Sequence, residues 1–319
     1  MPVWGWPAVR LRVVLARVVG SLLLIVSGVC AQDEAFVRRE LVMPMRDGTT
    51  LTAIALSPAT QVRPLPILLV RTPFGADREV RGTTLPAAYR ELAKDGYIFV
   101  VQNIRGRNGS GGSFVTMRAP DDPRNPRGTN EQTDACDTID WLVKHLPANN
   151  GRVGMLGTSY RGWLAAVAAV SPHPALEAVS PQAPMGDVWM GDDFFQQGAF
   201  RQTQGMRYAA WVESGEGFSV PDADQYDFYL RLQTLDSIGK VTKAALQPSW
   251  QGFRAHPARD AYWQAMALPR VLRRSAVPTL FVGGCWDEED ILGAPLGYRS
   301  AERADPRHWN RRTVVRDAT

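Results

Sequence analysis

Gly157-Thr158-Ser159-Tyr160-Arg161-Gly162 stands between a short apolar run, Val153 to Leu156, and a stretch of small and apolar residues, Trp163 to Val170. An extended segment, a glycine-flanked turn and a helix in that order constrain the fold more than any other feature of the chain. They lift a serine hydroxyl to the carboxyl end of a parallel sheet, where it can act as a nucleophile. A serine at the start of a helix can also be an N-cap, since Ser and Thr are favoured there. The second glycine also sits one place later than in the commonest form of this turn. The strand before, the helix after and the order of the flanking segments favour the nucleophile. A serine alkoxide is too basic to exist free at neutral pH, so Ser159 would need an imidazole to take its proton.

The surrounding segments supply that sheet. Apolar residues alternate on either side of Arg46-Asp47-Gly48, which predicts a β-hairpin. Leu65 to Val70 and Tyr97 to Val101 are continuous apolar runs, and Leu85 to Lys94 between them has helical spacing ending at Asp95-Gly96. Continuous apolar strands separated by helices indicate an α/β chain, with a mostly parallel sheet covered by helices on both faces. Asn103 to Asn130 reads as a loop rich in Gly, Pro, Arg and Asn, and so long a loop is more often functional than idle. A helix follows from about Glu131 to His145, then a turn at Asn149-Asn150-Gly151 and a further strand around Ala178 to Val179. From Met185 to about Met266 the pattern becomes aromatic and helical without clear strands, as a cap inserted over the sheet would be. Val277 to Gly283 returns to strand character. The expected organisation is a core over residues 32–184, a helical cap over 185–268 and the second part of the core over 269–319.

The first 31 residues read differently. Arg10, Arg12 and Arg17 precede an apolar stretch, Val18 to Val29, with small residues around Ala31. This is the pattern of a cleaved export signal, and the uncharged stretch is short for a spanning helix. The expectation is a periplasmic or secreted protein with no membrane span after cleavage. The segment carries three arginines and no acids, so removing it lowers the formal net charge from +4 to +1. The basic balance is largely a leader effect, and nothing points to nucleic acid. Cys136 and Cys285 remain, far apart in sequence, and two buried free thiols are the expectation. No metal-ligand spacing is present, and no cofactor is expected.

Asp287 follows a strand well after the serine, where the acid of a Ser, Asp, His order belongs. It could instead cap the next helix, with Glu288, Glu289 and Asp290 as favourable first-turn charges. Four consecutive acids exceed what capping needs. If Asp287 faces a triad, Glu289 and Asp290 can turn toward the substrate and hold a cation. The chain has four histidines, His145, His173, His256 and His308. Only His308 follows Asp287, in a polar stretch with no strand before it, so it reads as a surface histidine.

The elbow with Tyr160, Arg71-Thr72-Pro73-Phe74, Arg105-Gly106-Arg107, the run Thr133 to Leu142, Trp189-Met190-Gly191-Asp192-Asp193 and Trp286-Asp287-Glu288-Glu289-Asp290 together resemble the α-amino acid ester hydrolases. These belong to the X-Pro dipeptidyl-peptidase and cocaine esterase (CocE/NonD) group. The likeness runs from about Phe36 to Asp305. It implies an α/β-hydrolase fold with a helical cap, followed by a C-terminal jelly-roll. By matched position, Ser159 would be the nucleophile, Asp287 would orient the base and the Tyr160 N–H would be an oxyanion donor. Asp193, Glu289 and Asp290 match the family's carboxylate cluster for the substrate α-ammonium, with Asp192 the less favoured neighbour. Clustered carboxylates suit a cationic amine better than an apolar acyl chain.

Two departures matter. The tyrosine that gives the family a second oxyanion donor is Phe74 here, and losing one such donor typically lowers turnover by about 10²–10³-fold. Arg312-Thr313-Val314-Val315 resembles the strand leading to the family's Gly-Pro-Trp-x-His, and the resemblance implies a family member truncated before that segment and the jelly-roll. The expectation is a serine hydrolase acting on esters or amides of α-amino acids through an acyl-enzyme, nearly inactive as this chain stands. The competing expectation is a non-catalytic amine-binding remnant, and a weaker one is an esterase for simple acyl esters with His308 as base. The partner in either main case is a small α-amino ester or amide, and a homo-oligomer is compatible with both.

Overall fold

A computed structural model describes residues 35–122, 128–191, 193–213, 224–238, 246–273, 277–304 and, as backbone, 312–316. Strands β1 (Phe36–Pro44) and β2 (Thr50–Pro58) form the hairpin expected around Asp47-Gly48, in antiparallel register from Phe36–Pro58 to Pro44–Thr50. Next come β3 (Leu65–Thr72), β4 (Ile98–Asn103), β5 (Asn149–Ser159), β6 (Leu176–Pro184), the short pair β7 (Phe195–Gln196) and β8 (Ala199–Phe200), β9 (Leu280–Gly284) and β10 (Arg312–Arg316). The main sheet has the order β1-β2-β4-β3-β5-β6-β9-β10. Only the β1–β2 and β2–β4 pairings are antiparallel; the rest of the sheet is parallel. This is the α/β-hydrolase fold, and β4, with every residue buried, shows why its sequence is continuously apolar.

The helices are α1 (Ala76–Glu79), α2 (Arg90–Ala93), α3 (Glu131–His145), α4 (Tyr160–Ala168), α5 (Gln202–Tyr208), α6 (Gln225–Leu232), α7 (Leu235–Ile238), α8 (Pro248–Ala255), α9 (Ala261–Met266), α10 (Leu268–Val271) and α11 (Gly293–Ala304). The helix expected from Leu85 to Lys94 is shorter. Pro86 is extended, a 3₁₀ turn covers Ala87–Tyr89, and only α2 is α-helical. The region expected to lack strands contains the β7–β8 hairpin, and its other described elements are helices. Its aromatic residues pack together: Phe194, Phe200 and Trp263 each lie 4.7–5.8 Å, ring centre to ring centre, from Phe253.

A buried charge network ties α3 to the ends of β3 and β4. Asn130 caps α3, its side chain accepting the Gln132 and Thr133 N–H groups, while Thr133 Oγ1 accepts the Asn130 N–H. Arg71 donates from Nε to Gln102 (2.7 Å) and from Nη1 to the Glu131 carbonyl (2.7 Å), and its Nη2 lies 3.0 Å from the Glu131 carboxylate. Arg105 makes a two-pronged contact with Asp134 (2.9 and 2.6 Å) and reaches Asp47 at 2.7 Å. Paired fork-to-carboxylate geometry is what allows such charges to be buried at all. The Asn103–Asn130 loop is thus pinned from its first turn.

Candidate active site

The elbow closes at the end of β5. Ser159 has φ 60° and ψ −123°, a strained backbone for a residue with a side chain, and makes no side-chain cap bond to α4. A simple N-cap has extended backbone and accepts an N–H from the first turn, so the geometry is that of a nucleophile elbow. The later glycine has a physical reason. A Cβ on Gly162 would lie 2.7 Å from the Gln182 carbonyl and 3.1 Å from Pro184 Cα, so α4 meets β6 with nothing between them. Tyr160 is buried, and its hydroxyl accepts the Met117 N–H at 2.6 Å.

Ser159 lines a cavity of about 310 Å³. Tyr160, Phe74, Asp193 and Glu289 share that lining. Phe74 stacks on Trp211 (5.1 Å, 11° between planes), and the Arg161 guanidinium sits 5.7 Å from the centre of the Phe74 ring. Arg161 is held in turn by Glu79 at 2.7 Å. No hydroxyl stands at position 74, so the side chain forms an apolar wall.

Asp193 and Asp290 are 5% and 3% exposed. Burial pushes the Asp193 carboxyl well above the usual carboxylate range, and the neighbouring Asp290 and Glu289 push it the same way, while Gln204 opposes them. Gln204 Nε2 also donates to Glu289 Oε1 at 2.8 Å. One amide therefore serves both carboxylates. Asp193 Oδ2 is buried with no donor placed to satisfy it, and its nearest polar neighbour is another carboxyl, that of Asp290. Such a group carries an energetic penalty that a bound cation would relieve.

Asp287 is in the same loop but does not line the cavity. Its carboxylate accepts the N–H groups of Glu289 and Asp290, both at 3.0 Å, which fixes the turn that presents those two acids. The loop is seated by Gly293: a Cβ there would fall 1.5 Å from the Pro184 carbonyl oxygen. The described histidines lie elsewhere. His145 stacks on Trp141, His173 is 3.6 Å from Asp140, and His256 bonds Asp260 at 2.6 Å. His308 and Asp192 lie outside the described residues. Both cysteines are free as expected, but Cys285 is exposed and Cys136 only half-buried, so neither is the core thiol foreseen. No group of His, Cys, Asp and Glu among the described residues could hold a metal ion, and no described helix is long and apolar enough to cross a membrane.

Three residues in this cavity carry no signature in the sequence: Gln204, Arg207 and Trp211. With Tyr208 they form an i, i+3, i+4, i+7 stripe that runs from α5 into a π-helical turn, Ala209–Glu213, and all four line the cavity. That spacing was the one available clue.

Residues 47–314 match the family model of the X-Pro dipeptidyl-peptidases (S15 family). The chain is 29% identical over 265 residues to the cocaine esterase of Rhodococcus sp. (strain MB1 Bresler), covering 79% of this chain and 44% of that protein. In three dimensions it is similar to an aminopeptidase from a marine sediment archaeon, Thaumarchaeota archaeon (TM-score 0.84, 37% identity, 89% of this chain and 48% of the other). It is likewise similar to a selenomethionine-labelled α-amino acid ester hydrolase (TM-score 0.82, 36% identity, 90% and 49%). The chain thus spans about half the length of these relatives.

Proposed function

The chain belongs to the X-Pro dipeptidyl-peptidase (S15) family of serine hydrolases, and from that premise we propose that it is built around acyl transfer from α-amino acid esters or amides at Ser159. The observation that carries this reading is that the strained serine and the buried, uncompensated Asp193 line one cavity. The substrate α-ammonium pairs with Asp193 and Glu289, with Asp290 behind them. The acyl carbonyl then lies at Ser159. Oγ attacks the carbonyl carbon, the oxygen takes up negative charge facing the Tyr160 N–H, and the C–O or C–N bond breaks to leave an acyl-enzyme. The departing alcohol or amine carries the proton that the serine loses, and water then releases the acid.

The proton acceptor is the component that no described residue supplies, because His145, His173 and His256 sit away from the cavity. Asp287 is in the place of the acid that would orient such a base, and an export leader over residues 1–31 remains part of the proposal. Without a base, acylation runs on binding and oxyanion stabilisation alone. A second reading is a protein that binds α-amino compounds without turning them over; the carboxylates lining the cavity support the binding it requires.

The test is acylation by a p-nitrophenyl ester of L-phenylalanine, read as a mass increase on the protein, beside the N-acetylated ester. The amine-bearing ester should label about 10–100-fold faster, the worth of a charge-assisted contact, and Ser159→Ala should abolish labelling. Equal rates for the two esters would sink the amine specificity. Labelling that survives Ser159→Ala would sink the nucleophile. No labelling, with saturable binding of L-phenylalaninamide, would select the second reading.

A further inference from the structure

Arg207 is the one basic side chain among the described residues lining the cavity, and the preceding reading gives it no task. It is exposed, and its side chain makes no ion pair or hydrogen bond with a described residue. It is not the counter-ion of the carboxylates: Gln204, one turn earlier on the same face of α5, makes the contact to Glu289. Three residues of helix separate Gln204 from Arg207 by about 4.5 Å along the axis. The stripe then continues to Trp211, which stacks on the Phe74 wall. From the buried acids outward, a bound molecule meets carboxylates, then a guanidinium, then aromatic faces.

A ligand with an ammonium group alone leaves that guanidinium unmatched. A planar fork of N–H donors, exposed at the cavity and unpaired among the described residues, fits a carboxylate in two-pronged geometry. We infer that Arg207 selects substrates that carry a carboxylate in addition to the α-ammonium, so that the site takes zwitterionic compounds of the peptide class. The inference rests on the reading of Asp193 and Glu289 as the amine site, and it adds the second point of attachment. The carboxylate comes from one of two places: the acyl side chain, as in a glutamyl group, or the leaving group, as in a free dipeptide. Both present the same chemistry to the guanidinium.

Calorimetric titration of the Ser159→Ala protein, which consumes nothing, separates these cases with three probes. L-alaninamide carries the amine only, L-glutamic acid α-amide adds a side-chain carboxylate, and L-alanyl-glycine adds one on the leaving side. At least one zwitterion should bind about tenfold more tightly than L-alaninamide, a charge-assisted contact reduced by solvent at an exposed site. The tighter of the two identifies the source. Arg207→Gln should bring the three probes to within about twofold of one another, and rising ionic strength should shrink the preference in the unaltered arginine protein, a readout that does not depend on the variant folding. Zwitterions that bind like L-alaninamide, or a preference that survives Arg207→Gln, would overturn the inference alone. L-alaninamide binding that ignores Asp193→Asn would overturn the amine reading, and this inference with it.

Discussion

Two groups of buried acids lie within this fold, and they differ in what surrounds them. Glu131 and Asp134 face Arg71 and Arg105 at 3.0 and 2.6 Å. Asp193 faces Asp290 and Glu289. Burial raises both Glu131 and Asp193 above the ordinary carboxylate range, and the next influence has the opposite sign in the two: Arg71 pulls Glu131 down, whereas Asp290 pushes Asp193 further up. The first group holds its counter-charges within the chain and fastens α3 to the sheet, although Arg71 Nη2 and Glu131 Oε2 meet as an ion pair without hydrogen-bond geometry. The second lacks only positive charge, and a cavity opens onto it. Burial alone does not mark an acid as functional; burial without a counter-charge does.

Removing a member of each group tests that contrast, and the largest effect belongs to the charge-paired one. Glu131→Ala leaves Arg71 short of its nearest counter-charge in a site closed to water. Unfolding by denaturant should show a loss of about 3–5 kcal/mol, the usual cost of breaking a buried pair. A loss under about 1 kcal/mol would mean that water or Asp134 compensates and that the network is not the fastening described.

Asp193→Asn should act in the opposite direction. It removes a charge repelled by its neighbours, so the melting temperature at neutral pH should rise by about 2–4 °C, the shift that roughly 1 kcal/mol produces in domains of about 150–250 residues. The pH dependence follows from the raised pKa. The folded state binds the proton more tightly than the unfolded state, so no penalty exists at low pH. It sets in as pH rises through the ordinary value of 3.8 and is complete above the raised folded value. The advantage of Asp193→Asn should therefore grow with pH over that window. An advantage that shrinks with pH would mean that a counter-charge reaches Asp193 after all.

The smallest effect is expected at the edge of the charge-paired group. Asp47 meets Arg105 with its side chain 31% exposed. Asp47→Asn keeps the side-chain acceptor for the Thr49 N–H and removes only the ion pair. The loss should be under about 1 kcal/mol and should vanish in high salt. A loss as large as that of Glu131→Ala would erase the distinction between the sealed and the open parts of the network.

Local patterns in the sequence foretold what local geometry decides. Glycines at 157 and 162 around a serine can be recognised from six residues, because those residues form the tight turn and leave α4 the small side that its approach to β6 needs. Helix α3 from Glu131 to His145 was equally legible, whereas its Asn130 cap emerged only in the structure. The same locality misjudged Leu85 to Lys94, where apolar spacing outweighed Pro86, a residue that holds its own segment extended. Asp287 shows an intermediate case: its place after β9 was clear, but its hold on the Glu289 and Asp290 N–H groups emerged only in the folded turn. Gln204, Arg207 and Trp211 were hidden for another reason. A glutamine, an arginine and a tryptophan at helical spacing describe countless surface helices, and only the docking of α5 over the elbow turns that stripe toward a cavity.

Pro184 gives the nucleophile and the acids a common origin of measurement. Gly293, behind the Asp287–Asp290 turn, has no room for a methyl group against the Pro184 carbonyl, and Gly162, behind Ser159, lies close against the same end of β6, where a Cβ would meet the Gln182 carbonyl at 2.7 Å and Pro184 Cα at 3.1 Å. The spacing between serine and carboxylates is therefore set by backbone against backbone, not by side chains that could repack. A whole series of cavity linings could be exchanged for others while that spacing stayed fixed, whereas a single carbon added at either glycine would shift one half of the site against the other.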